Sequence, residues 1–151
     1  MVRWLDPAQE QAWRRYRRMR TLLDLQIARD LKADSGLSEA DYDVLSTLSE
    51  SRDNAWRAGD LAARLLWSTS RLAHHAGRME QRGLVVRAGV EEDARGATIA
   101  LTDAGLSVLR AAAPLHVESV RRYLVDLLSP ADVKALNRIA TKVVDHLNTL
   151  R

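Results

Sequence analysis

Apolar residues return every three or four positions along most of the chain. Trp13, Tyr16, Met19, Leu23, Ile27 and Leu31 form one such stripe, the period of an amphipathic helix over residues 7–33. Pro7 suits its first turn, and Gly36 is a fitting stop. A second helix opens at Ser38, a good N-cap with Asp41 near the third helical position, and Val44, Leu45 and Leu48 supply its buried side. A polar loop from Glu50 to Asn54 closes it.

The segment "RAGDLAARLLWSTSRLAHHAGRMEQRG" predicts two further helices. Leu61, Leu65 and Leu66 form a short one. "WSTS" then interrupts it with three hydroxyl residues, which favour caps over helix interiors. The next helix runs from about Thr69 to Arg82 and stops at Gly83. Leu72, Ala76 and Met79 line one of its faces, while Arg71, His74, His75 and Arg78 cluster toward the other. Two helices joined by a tight turn, the second with an exposed basic face, describe a helix-turn-helix.

The helical period then stops. "LVVRAG" and "ATIAL" are short β-prone runs separated by "VEEDARG", whose Asp, Arg and Gly suit a hairpin tip. A hairpin directly after a helix-turn-helix is a wing. It sets Arg95 on an arm beside the second helix, away from any core. Beyond it, Thr102 or Asp103 caps a new helix, in which Pro114 is a point for a kink or break. Val120, Leu124, Leu127 and Leu128 continue the stripe. Ser129 and Pro130 open a last helix, with Val133, Leu136, Ile139, Val143, Leu147 and Leu150 on one side. The stripes of the terminal helices need partners, and a second copy of the chain would supply them.

Composition narrows the function. A chain of 151 residues fits one domain. Only 7 glycines and 3 prolines argue against an all-β fold. The absence of cysteine excludes a disulfide, a thiol switch and a thiolate metal site. Apolar runs fall short of the roughly 20 residues of a membrane span, and "MVRWLDPAQE" lacks a signal-peptide core. The expectation is a cytoplasmic protein without a membrane partner. No grouping supplies a nucleophile, a base and an orienting acid, and no glycine-rich phosphate loop occurs, so an enzyme is not expected. Adjacent His74 and His75 point about 100° apart on a helix. His116 and His146 share no ligand spacing. Neither a metal nor a cofactor is expected.

The formal net charge is only +3, but it is unevenly spread. Arginines 64, 71, 78, 82 and 87 face a single acid, Glu80, between residues 64 and 88, a local excess of four positive charges. Such a surface is the footprint of a polyanion partner. Arg71 has two candidate roles: a bidentate contact to guanine, or a phosphate contact. Ser68, Thr69 and Ser70 suit helix capping and phosphate contact alike. Arg78, His74 and His75 extend the candidate interface. Arg95 would enter a minor groove or grip phosphate, with Asp93 positioning it rather than touching DNA. A run of arginines at 14, 15, 17, 18 and 20 reads as a solvated face or as further phosphate contact. Trp4, Trp13, Trp56 and Trp67, with Tyr16, Tyr42 and Tyr123, suit packing or an effector pocket.

The run "STSRLAHHAGRMEQRGLVVRAGVEEDARGATIALTDAG" resembles the DNA-binding core of MarR-type transcriptional regulators. The resemblance is carried by the arginine of the recognition helix, the Met-Glu-x-Arg-Gly-Leu-Val exit, the Asp-x-Arg-Gly wing and the Leu-Thr-x-x-Gly lead into the next helix. It implies a mainly α fold with a small β-hairpin wing, in a single domain over residues 1–151. Residues 37–101 would form the winged helix-turn-helix, and residues 7–33 and 103–151 the dimerisation helices. It further implies a homodimeric repressor on a pseudo-palindromic double-stranded DNA operator, released by a small phenolic or lipophilic effector. By position it carries over Ser68, Thr69, Ser70 and Arg71 at the start of the recognition helix as DNA-binding residues, and Arg95 with Asp93 in the wing. His74, His75 and Trp67 depart from the family's pattern. The alternative is a winged-helix module that binds protein and not DNA.

Overall fold

A computed structural model of the chain describes residues 1–89 and 96–151. These form six α-helices, three short strands and one 3₁₀ turn. The order is α1 (Pro7–Ser35), α2 (Glu39–Ser49), β1 (Ala55–Arg57), α3 (Ala58–Leu65), α4 (Thr69–Gln81), β2 (Val85–Ala88), β3 (Thr98–Leu101), α5 (Asp103–Tyr123), the 3₁₀ turn (Val125–Leu127) and α6 (Pro130–Asn148). The chain divides into two compact units, Ala28–Leu115 and a second made of Met1–Ile27 with His116–Arg151.

The unit Ala28–Leu115 owes its order to local signals that agree with its core. Ser38 and Asp41 form a capping box, each side chain accepting from the other's backbone N–H at 3.0 Å. This starts α2 with Val44, Leu45 and Leu48 fully buried. Leu61 of α3, and Leu72, Ala76 and Met79 of α4, close on the same core. Gly83 stops α4 with a positive φ of 77°, a conformation that costs glycine little. Thr102, not Asp103, caps α5. Its Oγ1 accepts from Gly105 N at 2.9 Å and donates to the Gly83 carbonyl at 2.6 Å, tying the start of α5 to the end of α4.

The sheet has three strands, one more than the two β-prone runs predict. β3 lies between β1 and β2, antiparallel to both, with Ile99 opposite Trp56 on one side and Arg87 on the other. β1 is only three residues long, too short to display a period of two. Its pairing with β3 holds it in place.

α5 runs on through Pro114 to Tyr123, so the expected break does not occur. Proline removes its own hydrogen bond, to the carbonyl of Arg110, and crowds that carbonyl with its ring. Both residues are exposed, and an unpaired carbonyl is costly only when it is buried away from water.

In the second unit, Ser129 and Asp132 form another capping box with Pro130 in the first turn of α6. α6 is amphipathic, yet none of its residues is buried. Val133, Leu136, Ile139, Val143 and Leu147 are exposed along it, as are Trp13, Tyr16 and Met19 on α1. Among the described residues no helix is long and apolar enough to cross a membrane.

Candidate nucleic-acid interface

A tight reversal sets α4 against α3. Leu66 adopts the left-handed conformation at φ 59°. Trp67 N–H then bonds back to the Ala62 carbonyl at 2.9 Å and Leu66 N–H to Ala63 at 3.2 Å, closing α3 in the manner of a Schellman turn. Ser68 follows as N-cap of α4, its Oγ accepting from Arg71 N at 3.1 Å. Ser68, Thr69, Ser70, Arg71, His74 and Arg78 are all exposed. Residues 71, 74 and 78 stand three and four apart and so share one face, opposite the buried Leu72, Ala76 and Met79.

His75 stands apart from that exposed group. It is half-buried, and its Nε2 meets Asp41 Oδ1 at 2.9 Å. The cause is Asp41, whose side chain is only 4% exposed and needs donors. Ser38 N and Arg82 Nη1 supply the other oxygen, Arg82 at 2.8 Å. In sequence Asp41 shows only its capping role; the second depends on partners 34 and 41 positions away. Burial pushes the Asp41 carboxyl upward, but the Ser38 N–H, Arg82 and His75 together outweigh it and hold it below its ordinary value. Burial also lowers the His75 imidazole, aided by Arg78 and Arg82; Asp41 opposes the shift without reversing it.

The other arginines of the basic segment have distinct partners. Arg87 donates to Glu80 through Nε, Nη2 and its backbone N–H, and to the Ala73 carbonyl through Nη1. Those contacts hold the Glu80 carboxyl below its ordinary value, the backbone N–H first among them. Arg64 faces Glu50 at 3.6 Å. Arg71 instead lies over the Trp67 ring, 4.0 Å from its centroid. Arg78 Nη2 meets His75 Nδ1 at 3.1 Å. Asp93 and Arg95 of the wing lie outside the described residues.

Two helices joined by a left-handed turn, the second bearing exposed arginines and followed by the antiparallel strands β2 and β3, define a winged helix-turn-helix protein. The family model described as MarR family matches residues 35–96. AbsC, a MarR family transcriptional regulator from Streptomyces coelicolor, is 40% identical with a TM-score of 0.91, over 98% of this chain and 99% of that one. Sco3205, another MarR family regulator from Streptomyces coelicolor, whose structure is a complex with DNA, is 37% identical with a TM-score of 0.90, over 97% of this chain and 92% of that one. The HTH-type transcriptional regulator PecS of Dickeya dadantii is 33% identical over 95 residues, 62% of this chain and 55% of PecS, so that match spans little more than half of PecS. The chain belongs to the MarR family.

Proposed function

We propose that this protein is a cytoplasmic, homodimeric DNA-binding transcriptional regulator, a repressor and not an enzyme. The observation that carries the reading is the exposed face of α4, where Arg71 and Arg78 have no carboxylate partner among the described residues. In this reading α4 enters the major groove, with Ser68, Thr69, Ser70 and the helix N-terminus receiving phosphate. His74 lies on the same face. Arg95 of the wing reaches the flanking groove or backbone, with Asp93 holding it.

The second unit is proposed as the dimerisation element. A helix such as α6, with an apolar stripe and no buried residue, is not stable alone in water. A second copy would cover it and place two α4 helices about one turn of DNA apart, on a pseudo-palindromic site. The family resemblance adds release by a small phenolic or lipophilic ligand.

Gel-shift titration of a duplex from the protein's own promoter against a random duplex tests this reading. The promoter duplex is expected to shift at lower protein concentration. Arg78→Ala is expected to weaken binding to every duplex and to make the salt dependence shallower by about one unit. Failure to shift either duplex would favour a protein-binding module.

A further inference from the structure

The five arginines of the basic segment divide by the kind of group that holds them. Arg64, Arg82 and Arg87 face carboxylates. Arg71 and Arg78, both on the exposed face of α4, are held by uncharged aromatic rings. Arg71 lies on the indole of Trp67, and Arg78 donates to Nδ1 of His75. The two rings meet edge to face, with centroids 5.5 Å apart and planes at 86°. His75 is anchored in turn by the buried Asp41 at 2.9 Å.

The hydrogen bonds select one form of the imidazole. An ionised aspartate only accepts, so Nε2 must carry a proton. A guanidinium only donates, so Nδ1 must present a lone pair. The neutral Nε2–H tautomer alone satisfies both neighbours, and the burial that disfavours a charged His75 agrees with it.

We propose that Trp67 and His75 are positioning residues for DNA binding, an uncharged aromatic pair that orders Arg71 and Arg78 in advance without neutralising them. The inference rests on the reading of α4 as the DNA-facing helix. A carboxylate would hold an arginine equally well, but its charge would repel the approaching phosphates. A ring face or a neutral nitrogen fixes the guanidinium and leaves its full charge to the polyanion. Ordering a long side chain before binding removes part of the cost of immobilising it at the interface. That gain is worth about two- to tenfold in affinity per arginine.

The test uses the full chain and a short mixed-sequence duplex, read by fluorescence anisotropy. His75→Gln puts an amide nitrogen near the place of Nε2, so it keeps a donor for Asp41 and removes the acceptor facing Arg78. Trp67→Leu keeps an apolar body and removes the ring face. Each is expected to weaken binding about two- to tenfold. His75→Gln is expected to add nothing in an Arg78→Ala background, and Trp67→Leu nothing in an Arg71→Ala background, because each ring acts through its arginine. Losses that persist undiminished in those backgrounds overturn the proposal. If Arg71→Ala and Arg78→Ala bind like the wild type, the DNA-facing reading of α4 falls and takes the proposal with it. Should Trp67→Leu fail to fold, the imidazole ¹⁵N shifts of His75 in the free wild-type protein decide. They are expected to show the Nε2–H tautomer, with an Nδ1 signal that moves in Arg78→Ala. An Nδ1–H tautomer overturns the proposal.

Discussion

Arg82 donates from Nη1 to Oδ2 of Asp41 at 2.8 Å, across 41 residues of sequence. The carboxylate is almost fully enclosed, while the guanidinium side chain is 43% exposed. The end of α4 is thereby tied to the first turn of α2. The same carboxylate takes His75, so one buried charge fixes α4 at two points, seven residues apart.

Removing that charge leaves two donors and a backbone N–H without their acceptor. Asp41→Ala is expected to lower stability by about 2–3 kcal/mol, less than for a fully buried pair because Arg82 can turn to water. Urea denaturation checks it. A loss within ±0.5 kcal/mol, as at an ordinary surface site, would mean that the core holds α4 without the cluster.

The same cluster makes stability pH-dependent, with one sign throughout. His75 and Asp41 both have folded pKa values below their ordinary 6.5 and 3.8, so the unfolded chain binds more protons and stability rises with pH. His75 contributes fully above pH 6.5, and its share is lost as the pH falls through its lowered folded value. Asp41 contributes fully above pH 3.8, and its share is lost below that in the same way. Melting curves from pH 8 down to 4 are expected to show a first decline beginning below about 6.5 that His75→Gln abolishes. A variant that declines as steeply as the wild type would remove His75 from the linkage.

Gly105 is a steric requirement. A Cβ there would stand 2.0 Å from the Leu84 carbonyl oxygen, which also accepts from Thr102 N–H at 3.2 Å. Backbone must move to make room. Gly105→Ala is expected to cost at least about 2–3 kcal/mol, despite alanine's better helix propensity. An unchanged melting temperature would show that the α4–α5 junction yields freely.

Deleting residues 130–151 is expected to give monomers or aggregates and to weaken DNA binding through loss of the second half-site. Ile139→Glu, a change on a helix without buried residues, is expected to do the same while leaving the rest of the chain intact. Sedimentation read beside anisotropy decides. A dimer with full affinity in both variants would move the interface elsewhere.

In the wing, Arg95→Ala is expected to leave folding within ±0.5 kcal/mol and to cost about 1–3 kcal/mol of DNA affinity. Asp93→Ala is expected to weaken binding too, although it removes a negative charge near a polyanion. The double variant should bind no worse than Arg95→Ala alone. Tighter binding by Asp93→Ala would show that the aspartate merely repels DNA.

The short-range features of this protein are legible in its residues alone. Caps such as Ser38, Ser68 and Ser129, stops such as Gly36 and Gly83, and the buried stripe of Leu72, Ala76 and Met79 act within a few residues of one another. Their physics is complete in a local window, and so is the run of motifs that places the chain in its family. β1 escaped such reading because three residues cannot display a period, and their order comes from pairing with β3, more than forty residues later. The fate of the basic segment depends on packing. Five arginines look equivalent in sequence, yet folding brings carboxylates to three of them and aromatic rings to Arg71 and Arg78. His75 could be read as a surface residue because its partner Asp41 lies 34 positions away. A buried carboxylate must gather donors from wherever the chain returns, and that return is a property of packing, which no local spacing records.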